Sequence, residues 1–147
     1  MGPDPSIRKR RNHRREAIER VRSGLDRVCR GWAGAVVIEA LDTPYYCQAH
    51  LRESRLIGEA VGEVHLPRLH VYHGGDRMRA ELGALGWMAP TDPTIDFGNW
   101  IQSWGIDDIG AAADVIVRTF GRAFGLQPGA LVVTVVPPRT DDRAPLG

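Results

Sequence analysis

The stretch Ala35–Val61, AVVIEALDTPYYCQAHLRESRLIGEAV, decides the fold class. Ala35–Leu41 is almost continuously apolar, as in a well-covered central strand. Asp42-Thr43-Pro44 supplies turn chemistry. Tyr45–Arg52 then alternates, with Tyr45, Cys47, Ala49 and Leu51 on one side and Tyr46, Gln48, His50 and Arg52 on the other. Glu53-Ser54 forms a second turn, and Arg55–Val61 reads as a third strand. Connections this short exclude parallel crossovers, so the three strands form an antiparallel meander.

Upstream, a helical stripe begins at Ala17 and continues through Ile18, Val21, Leu25, Val28 and Trp32, at spacings of three and four residues. Gly31 and Gly34 end it. Residues 1–7 are polar and proline-rich and are read as disordered, and residues 8–15 form a basic run. Downstream, a loop carries Pro67 and Gly74-Gly75. A short helix fits Asp76–Leu85, with Gly86 as its stop, and Trp87-Met88-Ala89-Pro90 leads into a proline-rich turn. Ile95–Trp104 reads as a strand or hairpin arm with Gly98 at a bulge. Asp107 or Asp108 caps a long helix whose apolar face is Ile109, Ala112, Ala113, Ile116, Val117, Phe120 and Phe124. Gly125 and Pro128 stop that helix, and Leu131–Val136 is a terminal strand. This order predicts an α+β fold, an antiparallel sheet with packed helices, over residues 16–136. Residues 1–15 and 137–147 are expected to be disordered tails.

A chain of 147 residues with 43% hydrophobic and 25% charged residues is sized for one soluble domain with its own core. Cys29 and Cys47 form no CxxC pair and no disulfide framework, so free thiols in a reducing compartment are expected. No apolar run has the length of a membrane span, and the charged N-terminus lacks the apolar segment of a signal peptide, so no membrane partner and a cytoplasmic location are expected. Of the 19 basic residues only Lys9 is lysine. Residues 1–30 hold ten Lys/Arg against four Asp/Glu, and the rest hold nine against fourteen, so a basic head sits on an acidic body.

Sites for chemistry are sparse. His65, His70 and His73 lie in one expected loop near Asp76, and Cys47 and His50 have C-x-x-H spacing. These spacings match no standard zinc site, so no metal and no cofactor are expected. There is no GxSxG elbow beside His73-Gly74-Gly75 and no phosphate-binding glycine motif. Ser103 lies on an expected strand, and Asp107-Asp108 is explained by helix capping. No catalytic residue is assigned, and a noncatalytic peptide- or protein-binding module is expected. The basic run Arg8-Lys9-Arg10-Arg11 with Arg14 and Arg15 suits phosphate contacts, which makes a nucleic-acid-associated regulator the alternative. It contains no aromatic residue for base stacking, and a solvated segment is the expected reading. Among the tryptophans, Trp32 and Trp87 are expected in the core. Trp100 and Trp104 share strand parity and, with Tyr46 and Gln48, are the candidates for an apolar peptide-binding face.

Four blocks of sequence resemble the actinobacterial TY-Chap domains, peptide-binding chaperones related to YbjN and the type III secretion chaperones. They are Tyr46-Cys47-Gln48-Ala49, Glu59-Ala60-Val61 with Leu66-Pro67, Leu85-Gly86-Trp87 with Pro90, and Asn99-Trp100. The segment Leu126-Gln127-Pro128-Gly129-Ala130-Leu131 after the long helix is also similar, and the resemblance spans roughly residues 32–136. Gly62-Glu63 stands where that family has Ser-Asn, and Cys47 and Ala49 are smaller than its usual residues. The resemblance implies an α-βββ-α-ββ-α fold without catalytic residues, a client peptide or protein as partner, a homodimer, and service to a secretion or conflict system.

Overall fold

The computed structural model describes residues 4–66, 68–91 and 98–139, and of residues 68–74 it describes the backbone. Pro67, Ile95–Phe97 and the distal C-terminal tail, each read above, lie outside the described residues.

The meander is present as read. Strands β1 (Ala35–Ala40), β2 (Tyr46–Arg52) and β3 (Arg55–Ala60) pair antiparallel, with Ile38 opposite Cys47 and Cys47 opposite Ala60. At the first turn Asp42 takes φ +61°, and the Thr43 hydroxyl donates to the Ala40 carbonyl at 2.8 Å. At the second, Glu53 and Ser54 both have positive φ, the signature of a two-residue hairpin whose twist matches the strands. Two further strands flank the meander. β4 (Trp100–Gly105) pairs with β3, and β5 (Leu131–Val136) pairs with β1, giving the order β4-β3-β2-β1-β5. Every pairing is antiparallel, so the architecture is α+β. Met88 adds an isolated bridge to Ile101 on the outer side of β4, at the place of the further strand that the resemblance implies.

Helices α1 (Pro5–Cys29) and α3 (Ile109–Arg122) pack against each other and over one side of the sheet. Helix α3 buries Ala112, Ala113, Ile116, Val117 and Phe120, the face its spacing predicts. Burying side chains such as Ile116 and Phe120 contributes about 1.5–3 kcal/mol each. Helix α1 lies close on β1 at Gly24, where an added Cβ would lie 2.7 Å from Val36 Cγ2.

Three elements differ from the sequence reading. First, α1 begins at Pro5, well before the apolar stripe at Ala17, so residues 5–15 are helical and not a disordered tail. Asp4 caps it through the Ser6 amide, proline occupies a first-turn position, and the following Arg/Lys-rich stretch has high helix propensity. Second, α2 spans Arg68–Ala84, so His70 and His73, expected in a loop, fall on helical backbone. Gly86, at φ +96°, does end that segment. Third, Trp32 is 66% exposed and lies beneath the Arg30 guanidinium, 5.2 Å from the ring centroid. The helix stops at Cys29 and Gly31 takes φ +76°, so the three-four spacing no longer applies at Trp32, and Ala33 turns inward instead.

Candidate functional site

Among the described residues, the sheet has one side packed beneath helices and one side open. The register places Tyr46, Gln48, His50 and Arg52 of β2 on the open side. Beside them lie Val37 and Glu39 of β1, Arg55, Ile57 and Glu59 of β3, Ile101 and Ser103 of β4, and Val132, Thr134 and Val136 of β5. Among the described residues these side chains are half-buried or exposed.

Cross-strand pairs organise this face. Gln48 lies opposite Glu59, and its Nε2 donates to Glu59 Oε2 at 2.5 Å. The Arg55 guanidinium donates to Ser103 Oγ from the neighbouring strand at 3.3 Å. Charge is distributed along the strands. Glu39 and Glu59 occupy the rows that contain Tyr46 and Gln48, whereas His50, Arg52 and Arg55 occupy the rows at the other end. Next to the basic end is a cleft of about 480 Å³ whose walls include Gln48, His50, Leu51, Val136, Pro137 and Arg139.

Tyr46 is held by Asn99. Its hydroxyl accepts a hydrogen bond from Asn99 Nδ2 at 3.3 Å, and Asn99 Oδ1 accepts the Gly62 amide at 3.0 Å. Asn99 is buried, so this amide connects the end of the meander to the start of β4 with its polar atoms partnered. Gly62 is obligatory here, because an added Cβ would lie 1.6 Å from the Gly98 carbonyl oxygen. A glycine at the position where the resembled family has serine therefore reflects a backbone-to-backbone contact in this chain.

Trp100 and Trp104, expected beside Tyr46 on the open face, are instead in the core, 6% and 7% exposed. They do share one side of β4, but it is the side beneath the helices, opposite Ala60 and Leu56. Besides Leu56, the covered side of β2 and β3 carries the small residues Cys47, Ala49, Gly58 and Ala60. The indole of Trp104 fills the space above Gly58, where a Cβ would come within 2.5 Å of it, and meets Trp87 edge-to-face at 5.9 Å. Trp87 is buried as expected, and its Nε1 donates to Thr119 Oγ1 at 2.9 Å. The Thr119 hydroxyl in turn donates to the Val115 carbonyl at 2.7 Å. Of the four candidates, the open face thus carries Tyr46 and Gln48 and lacks both tryptophans.

The sequence reading did not single out Asn99 as a linking residue or Thr119 as a buried polar one. The only signal for Asn99 is its place beside Trp100 at a strand start, and Thr119 sits amid an apolar helix face with nothing to mark its partner. Cys47 is fully buried, which pushes its thiol well above the ordinary range and leaves it unreactive in the folded chain. Cys29 is half-buried, and burial raises its thiol too. Among the described residues no group of three or more His, Cys, Asp or Glu side chains is arranged to hold a metal ion, and no helix is long and apolar enough to cross a membrane.

The architecture is an antiparallel α+β sheet with helices on one side and a grooved surface on the other among the described residues. The TY-Chap3 family, described as T3SS (YopN, CesT) and YbjN peptide-binding chaperone 3, matches residues 16–136, and the chain belongs to it. No curated protein and no solved structure matches the chain.

Proposed function

We propose that the protein is a noncatalytic chaperone or adaptor that holds extended segments of client peptides or proteins on the open face of its sheet, with Tyr46 and Gln48 as contacts. The observation that carries this reading is the open face itself. One side of the sheet is packed with tryptophans and helices, and the other presents an aromatic ring, an amide and a cleft. Membership of a peptide-binding chaperone family supports it. The charge gradient along β2 and β3 favours a segment with opposite charges at its two ends, which would fix the direction in which it lies. A homodimer, a cytoplasmic location and service to a secretion or conflict system rest on the family resemblance and the sequence alone.

The test is an array of synthetic peptides with alternating apolar and polar residues, probed with the wild type, Tyr46→Ala and Gln48→Ala. Loss of an aromatic anchor is expected to lower affinity by about 2 kcal/mol. Denaturant titrations on the same proteins separate lost contacts from lost structure. Equal binding by all three folded proteins would remove the open face as the site.

A further inference from the structure

Away from the sheet, α1 and α3 each present a pair of arginines one helical turn apart, and the pairs meet. Arg10 and Arg14 on α1 and Arg118 and Arg122 on α3 line one cleft of about 360 Å³, walled on its remaining side by Leu126 and Pro128. Residues four apart share a helix face, and the helices pack with the start of α1 beside the end of α3, which is why the pairs converge. Arg118 Nε donates to Asp114 Oδ2 at 2.8 Å, and Arg10 Nε donates to the Ser6 carbonyl at 3.4 Å and lies within electrostatic reach of Asp4. Arg14 and Arg122 have no carboxylate partner among the described residues. Four guanidinium groups around one cleft repel each other, and an anion between them removes that cost.

We propose that this cleft binds an acidic peptide segment of the client, through its aspartate or glutamate carboxylates; the proposal rests on the peptide-binding reading and adds a second contact away from the sheet. The guanidinium fork binds carboxylate and phosphate alike with two parallel hydrogen bonds, so the choice between a peptide and a nucleic acid rests on the lining of the cleft and on the peptide-binding reading. No aromatic side chain lines the cleft to stack a base. The cleft is also within the ~300–1,000 Å³ range of sites for small ligands.

The test measures binding of a fluorescent hexaglutamate peptide to the full-length chain, with hexaglutamine and a single-stranded oligonucleotide of matching charge as comparators. Arg14→Gln/Arg122→Gln is compared with Arg20→Gln/Arg22→Gln, which lies outside the cleft. Expected is salt-sensitive binding of hexaglutamate alone, weakened about tenfold or more in the cleft variant and unchanged in the other. Circular dichroism shows that both variants fold. Absence of hexaglutamate binding, equal loss in both variants, or tighter binding of the oligonucleotide that the cleft variant abolishes would each overturn the proposal. The apolar peptide array reports on the open face independently, so failure here leaves that reading standing, and failure there leaves the cleft measurement intact.

Discussion

The two sides of the sheet put their large side chains to opposite uses. On the covered side the central strands contribute Cys47, Ala49, Gly58 and Ala60, and the volume they leave is filled by Trp100 and Trp104 from the edge strand β4 and by Trp87. On the open side the same central strands contribute Tyr46, Gln48, His50 and Glu59, and the edge strand contributes Ile101 and Ser103. Aromatic residues on a strand thus do not by themselves mark a recognition surface. Their place is decided by what the neighbouring strand puts beside them: Ala60 opposite Trp100, and Gly58 beneath the ring of Trp104, leave room that the indoles fill.

The most severe way to break this contrast is to empty the covered side. Trp104→Ala removes an indole packed on Gly58 and Trp87 and is expected to cost about 3–5 kcal/mol of folding stability, measured by chemical denaturation. Peptide binding by whatever fraction remains folded should be unchanged. A Trp104→Ala protein of normal stability with lost binding would place Trp104 on the recognition surface after all.

Gly62→Ala attacks the link between the two sides. The methyl has no room beside the Gly98 carbonyl, so the end of the meander must move away from β4. That motion strains the Asn99 bonds to Gly62 and Tyr46 together. A loss of ~3 kcal/mol is expected from overpacking alone. Restoration of stability by a compensating change at Gly98 is not expected, because the obstacle is backbone oxygen and not a side chain. A neutral Gly62→Ala would show that the turn is free to open, and with it that Tyr46 is not held in place by Asn99.

Gln48→Ala sharpens the contrast from the open side. It leaves the core untouched and removes one exposed-face hydrogen bond, to Glu59, so the stability change is expected to stay within about 0.5–1.5 kcal/mol. Its effect should instead appear in the peptide array. The order of stability losses, Trp104→Ala above Gly62→Ala above Gln48→Ala, tests the assignment of sides as a whole.

Much of this was legible in the sequence. Period-two alternation in Tyr45–Arg52 and the short turns at Asp42-Thr43-Pro44 and Glu53-Ser54 are local signals, and they specified the meander and the side on which Tyr46 and Gln48 lie. The three-four spacing after Asp108 specified α3 in the same way. What periodicity does not carry is which side of β4 faces inward. Parity shows that Trp100 and Trp104 agree with each other, but the inward side depends on the register with β3, which is a long-range property. Trp32 was misplaced for a related reason, since one positive-φ glycine at position 31 cancels the phase of the preceding helix. The arginine cleft was equally hidden. Arg10 and Arg14 are far from Arg118 and Arg122 in sequence, and only the packing of α1 on α3 brings them together.

The smallest effect is expected at the start of α1, where the contrast between packed and open surfaces runs along a single helix. From Ala17 onward the helix buries Val21, Leu25 and Val28, whereas Arg8–Arg11, Arg14 and Arg15 are exposed. This basic half is supported by the Asp4 cap and by intrinsic propensity, and neither contributes to the core that begins at Ala17. A cap worth ~1 kcal/mol to the segment it closes is lost together with that segment, so its deletion is close to neutral for the rest. Against this stand half-buried His13, whose ring packs beside Gly129 in the turn before β5, and Arg10 and Arg14, which lie beside the end of α3. Deleting residues 1–15 is therefore expected to lower Tm by less than about 4 °C, the equivalent of roughly 1 kcal/mol for a chain of this size. A fall of many degrees in a thermal melt would show that the basic half is packed onto the acidic body and is part of the fold. A small fall combined with loss of hexaglutamate binding would mark it as a segment kept for its charge.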